Sequence, residues 1–466
     1  LRTLQAREEM GLFDNPFADP TKAKEIYDDP TADALSEEIA QKSIVLLKND
    51  GILPLQNEKK KIAMIGPFAT RLQTFFGGYA YPAMMGSFLE MCVDPSVAVH
   101  MEGFREMAQR MFDIESMKAK MYKDPSKSFA QNFDDYLHET LGTMSLTDAL
   151  QEELSNVEIV SYGASLNCEN YKDHLEQAKH IAQDADIVVL ALGEVTGQGK
   201  DATSGEGVNH PDLTLPFHQE ELVDIVHELG KPSVLVLFNG RALALGNVEP
   251  KVNAIVEAWY PGPAGGRPVA KVLSGRFNPQ GHLPITFPQI SAQCPIYYGH
   301  KTGSGYMTIK QTADPAVMQP LYPFGYGLSY TNFELSNLHY DEHVETGASF
   351  KVSVDIKNTG AIAGSDVIQI YTHSKCPTIN RPIKELRAFT TVDLQPNEKK
   401  TIEFELDTRA FGYFNFEDQF VIENRPQELF ICDHSSNVIL RGEVQFVGKT
   451  KEILHDRVFN FKVEEK

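Results

Sequence analysis

Glu206 stands between Gly205 and Gly207 near the end of a long glycine-rich stretch, Leu192-Gly193-Glu194-Val195-Thr196-Gly197-Gln198-Gly199-Lys200-Asp201-Ala202-Thr203-Ser204-Gly205-Glu206-Gly207. Small neighbours let the backbone bend and approach a ligand, so a carboxyl group there can give up a proton and take it back as a general acid/base. A solvated loop carboxylate is the plainer alternative. Glu194 lies closer to the preceding apolar strand, where it can meet a ligand or anchor the loop's own amides. Arg241, in Asn239-Gly240-Arg241, follows another apolar run and can pair with the acidic loop or cap nearby backbone. Tyr79 and Tyr81, in Phe75-Phe76-Gly77-Gly78-Tyr79-Ala80-Tyr81-Pro82, can form a flat platform as suited to a sugar face as to a base, or simply fill an interface. Neither GxxxxGKS/T nor GxGxxG fits, which disfavours a flavodoxin-like nucleotide binder.

The elements that must position these groups are bounded by composition. The 466 residues hold 43 Lys and Arg against 64 Asp and Glu, a net charge of −21. At about 150 residues per domain this suggests three domains. The acidic balance argues against nucleic acid or an anionic membrane as partner, since phosphate binding needs clustered cations. The absence of a long apolar run excludes a spanning helix from the reading. Cys92, Cys168, Cys294, Cys376 and Cys432 are scattered without CxxC or Cys/His spacing, so neither a disulfide framework nor a metal site is expected. That sparse usage leans towards a reducing compartment such as the cytoplasm.

Along the chain, Leu1 to Met10 reads as a helix closed by Gly11, the end of something upstream. Residues 12–35, with Pro16, Pro20 and Pro30, read as a surface linker, and Ser36 to Asn49 as a helix. Residues 84–145 read as a Met-rich helical insertion. Lys61 to Ile65, Val157 to Tyr162, Ile187 to Leu192, Ser233 to Phe238, Ala254 to Trp259 and Leu283 to Phe287 read as six strands. Helices at Tyr171 to Asp184, Pro216 to Leu229 and Pro263 to Leu273 alternate with them. Fully apolar strands alternating with helices predict an α/β three-layer sandwich on a mostly parallel sheet. From Phe350 onward the period becomes two and helices cease, which predicts a β-sandwich of immunoglobulin size. The expected layout is residues 1–35 as the end of a preceding unit with a linker, 36–293 as the α/β domain, 294–331 as a linker and 332–466 as the all-β domain.

Ser43 to Leu55, Ile65-Gly66-Pro67, Asp186 to Leu190, Ser204-Gly205-Glu206-Gly207 through Leu215-Pro216, Asn239-Gly240-Arg241, Trp259-Tyr260-Pro261-Gly262 with Gly265-Gly266, Gly281 to Pro288 and Tyr322-Pro323-Phe324-Gly325-Tyr326-Gly327-Leu328-Ser329-Tyr330 occur in this order. Together they resemble glycoside hydrolase family 3, the exo-acting β-glucosidases and their relatives. The tail, with Lys357-Asn358-Thr359-Gly360 and Gly364-Ser365-Asp366-Val367, resembles the fibronectin type III-like domain of the same enzymes.

The resemblance implies a (β/α)8 barrel bearing a nucleophilic Asp, an α/β sandwich lending an acid/base Glu, and a fibronectin-like module. Leu1 to Pro16 resembles the barrel's last helix and exit, and no residue here matches the nucleophile. The acid/base carries over onto Glu206, although Asn209-His210 stands where an Asp-Arg pair is usual. Gly77-Gly78-Tyr79 matches the family's Gly-Gly-aromatic loop, which makes Tyr79 a stacking residue on the leaving-group side. The implied partners are β-linked glucosides or oligosaccharides and the barrel; no metal or organic cofactor is required, and the chain alone is expected to be essentially inactive. The alternative is a non-catalytic carbohydrate-binding or structural module.

Overall fold

The computed structural model describes residues 1–27, 29–93, 103–197, 202–206, 208–304 and 319–466. The loop residues Gln198 to Asp201 and Gly207 lie outside the described residues. In chain order the strands are β1 (Val45–Asn49), β2 (Lys61–Ile65), β3 (Glu158–Tyr162), β4 (Ile187–Gly193), the two-residue pair β5 (Ser204–Gly205) and β6 (Val208–Asn209), β7 (Ser233–Phe238) and β8 (Ala254–Glu257). All but β5 and β6 form one sheet in the order β1-β8-β7-β4-β2-β3, parallel except where β1 meets β8. The helices are α1 (Arg2–Glu9), α2 (Ala23–Tyr27), α3 (Pro30–Ser43), α4 (Tyr81–Val93), α5 (Phe104–Met111), α6 (Ile114–Met121), α7 (Phe129–Leu141), α8 (Leu146–Glu153), α9 (Tyr171–Gln183), α10 (Gln219–Glu228) and α11 (Arg267–Leu273).

The sheet is covered on both faces, which is why its strands read as unbroken apolar runs. Successive side chains point to opposite faces. Val188, Leu190 and Leu192 meet Leu175 and Ala178 of α9 and Leu222 and Val226 of α10. Val189 and Ala191 belong to the other layer, with Phe133 and Leu137 of α7, Leu146 of α8 and Val269 of α11. The helical insertion therefore supplies part of that second layer, and Phe68 and Phe75 pack on Phe238 with centroids 5.1 and 5.2 Å away.

Three sequence expectations are corrected. The helix expected over Ser36 to Asn49 runs instead over Pro30–Ser43. Asp29 caps it by accepting from the Thr31 N–H, and a proline opens it, so the expected linker over 12–35 is partly helical. Val45 to Leu47, fully buried, forms strand rather than helix; a short buried run looks alike in both. The strand expected at Leu283 to Phe287 contributes only an isolated bridge from Phe287 to Tyr322. Pro284 has no N–H to give a ladder, and β1 completes the six strands instead.

The all-β part comprises β9 (Phe333–Tyr340), β10 (His343–Glu345), β11 (Ser349–Asn358), β12 (Gly364–Ser374), β13 (Glu385–Leu394), β14 (Lys399–Asp407), β15 (Tyr413–Phe414), β16 (Phe420–Ile422), β17 (Pro426–His434), β18 (Asn437–Val447), β19 (Lys451–Glu452) and β20 (Lys462–Glu465). Two main sheets, β10-β18-β17-β12-β13 and β20-β14-β11-β9, enclose Val352, Val354, Ile356, Ile370, Phe404 and Ile431. The alternation seen from Phe350 onward is the inward face of β11.

Candidate active site

From β2 the chain passes to β3 on one side, then returns so that β4 lies on the other side of β2. The strand order therefore switches between β2 and β4, and ligands of open α/β sheets bind at such a crevice beyond the carboxyl ends. The loops leaving those two ends carry Tyr79 and Glu206, and they meet. The Tyr79 hydroxyl donates to Glu206 Oε2 at 2.8 Å. That bond to a carboxylate holds the Tyr79 phenol above its ordinary range. Both residues face solvent, with Tyr79 72% and Tyr81 64% exposed. Tyr81 is the first residue of α4, so Tyr79 lies in the loop and Tyr81 on the helix that leads into the insertion.

Glycine makes the junction of the loops possible. A Cβ on Gly78 would lie 2.9 Å from the Gly197 nitrogen and 2.9 Å from Thr196 Oγ1. Gly205 sits at φ +146°, and a Cβ there would come 2.5 Å from the Gly197 oxygen. Gly78→Ala is expected to destabilise the chain by about 1–3 kcal/mol, because backbone must move. Gly77→Ala, which meets nothing within 4 Å, is the control and should lose nothing in chemical denaturation.

The Tyr79 loop is held from the insertion. Asp134 of α7 accepts from Arg71 Nε at 3.0 Å, Leu72 N at 3.0 Å and Gln73 N at 3.1 Å. Burial pushes the Asp134 carboxyl up, against the pull of Arg71 and the two amides.

Glu194, fully buried at the end of β4, faces Arg241 from beyond β7. Arg241 Nε donates to both Glu194 oxygens, at 3.0 and 2.8 Å. Nη2 adds a bond to Glu194 Oε1 at 2.5 Å and reaches the Asp212 carbonyl at 3.3 Å, while Nη1 donates to the His210 carbonyl at 3.1 Å. Arg241 thus does both things its position allowed, pairing with the loop and capping backbone, while Glu194 spends its carboxylate on that pair. Tyr260 donates to the Glu194 carbonyl at 2.9 Å, and burial drives its phenol far above the usual range.

Glu257, the last residue of β8, escaped the sequence reading. It is wholly buried and, among the described residues, forms no ion pair; Asn239 Nδ2 donates to it at 3.0 Å and Trp259 N at 2.9 Å. Burial pushes its carboxyl up to about 8. The signal available was a carboxylate closing the apolar run Ala254-Ile255-Val256, a place where charge is costly. Among the described residues no group of three or more His, Cys, Asp or Glu is placed to hold a metal, and no helix is long and apolar enough to cross a membrane.

Residues 44–330 match the glycosyl hydrolase family 3 C-terminal domain, and residues 366–435 match the fibronectin type III-like domain. The chain is 30% identical to the periplasmic beta-glucosidase of Salmonella typhimurium over 448 residues, covering 93% of this chain and 53% of that protein. It is 29% identical to a beta-xylosidase of Formosa agariphila over 432 residues, covering 91% and 51%. The beta-glucosidase of Listeria innocua superposes with a TM-score of 0.73 at 31% identity, covering 96% of this chain and 54% of that one. The chain thus spans about half the length of the curated relatives it matches. A six-stranded α/β layer followed by a β-sandwich, matched in order by both family models, means that this chain belongs to glycosyl hydrolase family 3 and carries that family's C-terminal domain and its fibronectin type III-like domain.

Proposed function

We propose that this chain forms the acid/base-bearing half of an exo-acting, retaining β-glycosidase of β-glucosidase type, with Glu206 as the acid/base. The observation that carries this reading is the meeting of the exposed Tyr79 and Glu206 at the switch point. Retaining hydrolysis needs a second carboxylate about 5–5.5 Å from the first. That nucleophile belongs to a (β/α)8 half facing the carboxyl ends of the sheet. Glu206 protonates the departing glycosidic oxygen, then takes a proton from the water that frees the sugar. With Oε2 engaged by Tyr79, Oε1 is the oxygen that carries the proton. Tyr79 and Tyr81 offer their rings to the leaving group, and the expected substrates are β-linked glucosides or oligosaccharides.

The test combines this chain with a family (β/α)8 half, as one polypeptide, and follows para-nitrophenyl β-glucoside by proton NMR. β-Glucose is expected as the first product, with no hydrolysis by this chain alone. First release of α-glucose would contradict retention. Sugar binding without turnover in the joined protein would favour the carbohydrate-binding module, which the exposed Tyr79 and Tyr81 rings also suit.

A further inference from the structure

Among its described residues, the chain between β4 and α10 that carries Glu206 has no regular element longer than the β5–β6 pair, yet those residues are tied together. The Thr203 N–H donates to the Val195 carbonyl at 2.9 Å, the Gly197 N–H to the Ser204 carbonyl at 2.9 Å, and the His210 N–H to the Thr203 carbonyl at 2.7 Å. Its entry is Glu194 and its exit is His210 to Asp212. One guanidinium holds both. Arg241 grips the Glu194 carboxylate with Nε and Nη2, and reaches the His210 carbonyl with Nη1 and the Asp212 carbonyl with Nη2. Arginine suits this because its donors form a rigid planar fork, whereas the ammonium of lysine is a single point on a flexible stem. The entry is pinned again by the Glu194 N–H donating to the Phe238 carbonyl at 2.8 Å and by Tyr260 on the Glu194 carbonyl. Arg241 itself is seated by Asn239 Nδ2, which donates to its carbonyl at 2.9 Å.

We infer that Glu194 and Arg241 are positioning residues, a bracket that closes both ends of the 194–212 loop and thereby aims Glu206, rather than ligands of the sugar. The inference rests on the acid/base reading of Glu206. It follows from where the donors go: both Glu194 oxygens and three Arg241 nitrogens are already spent inside the loop, and Glu194 is sealed from solvent. A group so engaged has little left for substrate. What it fixes is the distance across the loop's neck, and the cross-loop bonds carry that constraint to Ser204 and Gly205, next to Glu206.

Two readouts test it. Amide hydrogen exchange on this chain reports the bracket without any activity. In Arg241→Ala, Arg241→Lys and Glu194→Gln, the Thr203 and His210 amides should exchange about 10-fold faster or more, while those of β4 and β7 keep their protection. The Lys and Gln variants preserve volume should the Ala variant fail to fold. The second readout is a leaving-group series with the chain joined to the (β/α)8 half. A misaimed acid costs about 10²-fold in kcat/KM where the leaving group needs a proton, as in methyl β-glucoside. It costs little where it does not, as in the dinitrophenyl glucoside. Faster exchange with that split supports the bracket. Unchanged exchange overturns it, and so does an equal loss across the series with raised KM, the mark of a sugar ligand. A split in Glu206→Gln but none in the Arg241 variants overturns the bracket alone; no split in Glu206→Gln overturns the acid/base reading beneath it.

Discussion

Glu206→Gln is expected to lower kcat/KM for glucosides with poor leaving groups by about 10²–10⁴-fold, the usual worth of general acid catalysis. The amide keeps the size of the side chain and can still accept from the Tyr79 hydroxyl, so the junction of the two loops survives. What it loses is the proton for the departing oxygen and the base for the incoming water. For activated aryl glucosides the first step needs no proton, so glycosyl-enzyme should accumulate and a burst of phenol should precede slow turnover. Rapid-quench kinetics on the joined protein reads both phases. Equal losses for alkyl and activated aryl glucosides, with no burst, would mean that Glu206 serves the fold or binding instead. Glu194 cannot readily take its place, because it is buried beneath the loop and paired to Arg241.

Glu257 carries the second large effect, on stability. Burial raises its carboxyl to about 8 in the folded chain, against an ordinary 4.5. The folded state therefore holds a proton that the unfolded chain releases across that window. The contribution to stability is complete below about pH 4.5 and is lost as pH rises towards 8. At about 1.4 kcal/mol per pH unit, the loss is on the order of 4 kcal/mol. Glu257→Gln cannot ionise. It should cost about 1 kcal/mol at pH 5, since one oxygen must replace two as acceptor for Asn239 and Trp259, and should be the more stable protein at pH 8. Calorimetry of both chains from pH 5 to pH 8 reads this as melting curves that cross. Parallel pH dependences would show that Glu257 is not the titrating group.

Much of this architecture is legible in the sequence, for stated reasons. Strands buried on both faces leave unbroken aliphatic runs, so Ile187 to Leu192 and Ser233 to Phe238 declare themselves. Val45 to Leu47 does not, because its apolar residues continue directly from a helix and only pairing with β8 makes them a strand. The candidate site divides in the same way. Tyr79 and Glu206 stand out singly by their glycine neighbours. That one donates to the other across 127 positions is decided by the strand order, which composition and spacing do not carry. A pairing of Arg241 with the acidic loop is legible, but that Glu194 is its partner, and that the same guanidinium captures His210 and Asp212, depends on where the loop returns. Asp134 hides in an insertion whose polar residues all look alike until α7 lands beside Arg71.

The acid/base role of Glu206 is tested most directly by azide rescue. Glu206→Gln, joined to the (β/α)8 half, is supplied with dinitrophenyl β-glucoside and sodium azide, and the product is identified by NMR. Azide needs no general base, so it should attack the stalled glycosyl-enzyme, restore turnover and yield β-glucosyl azide. Formation of the α-azide would make Glu206 the nucleophile, and turnover indifferent to azide would remove it from the reaction.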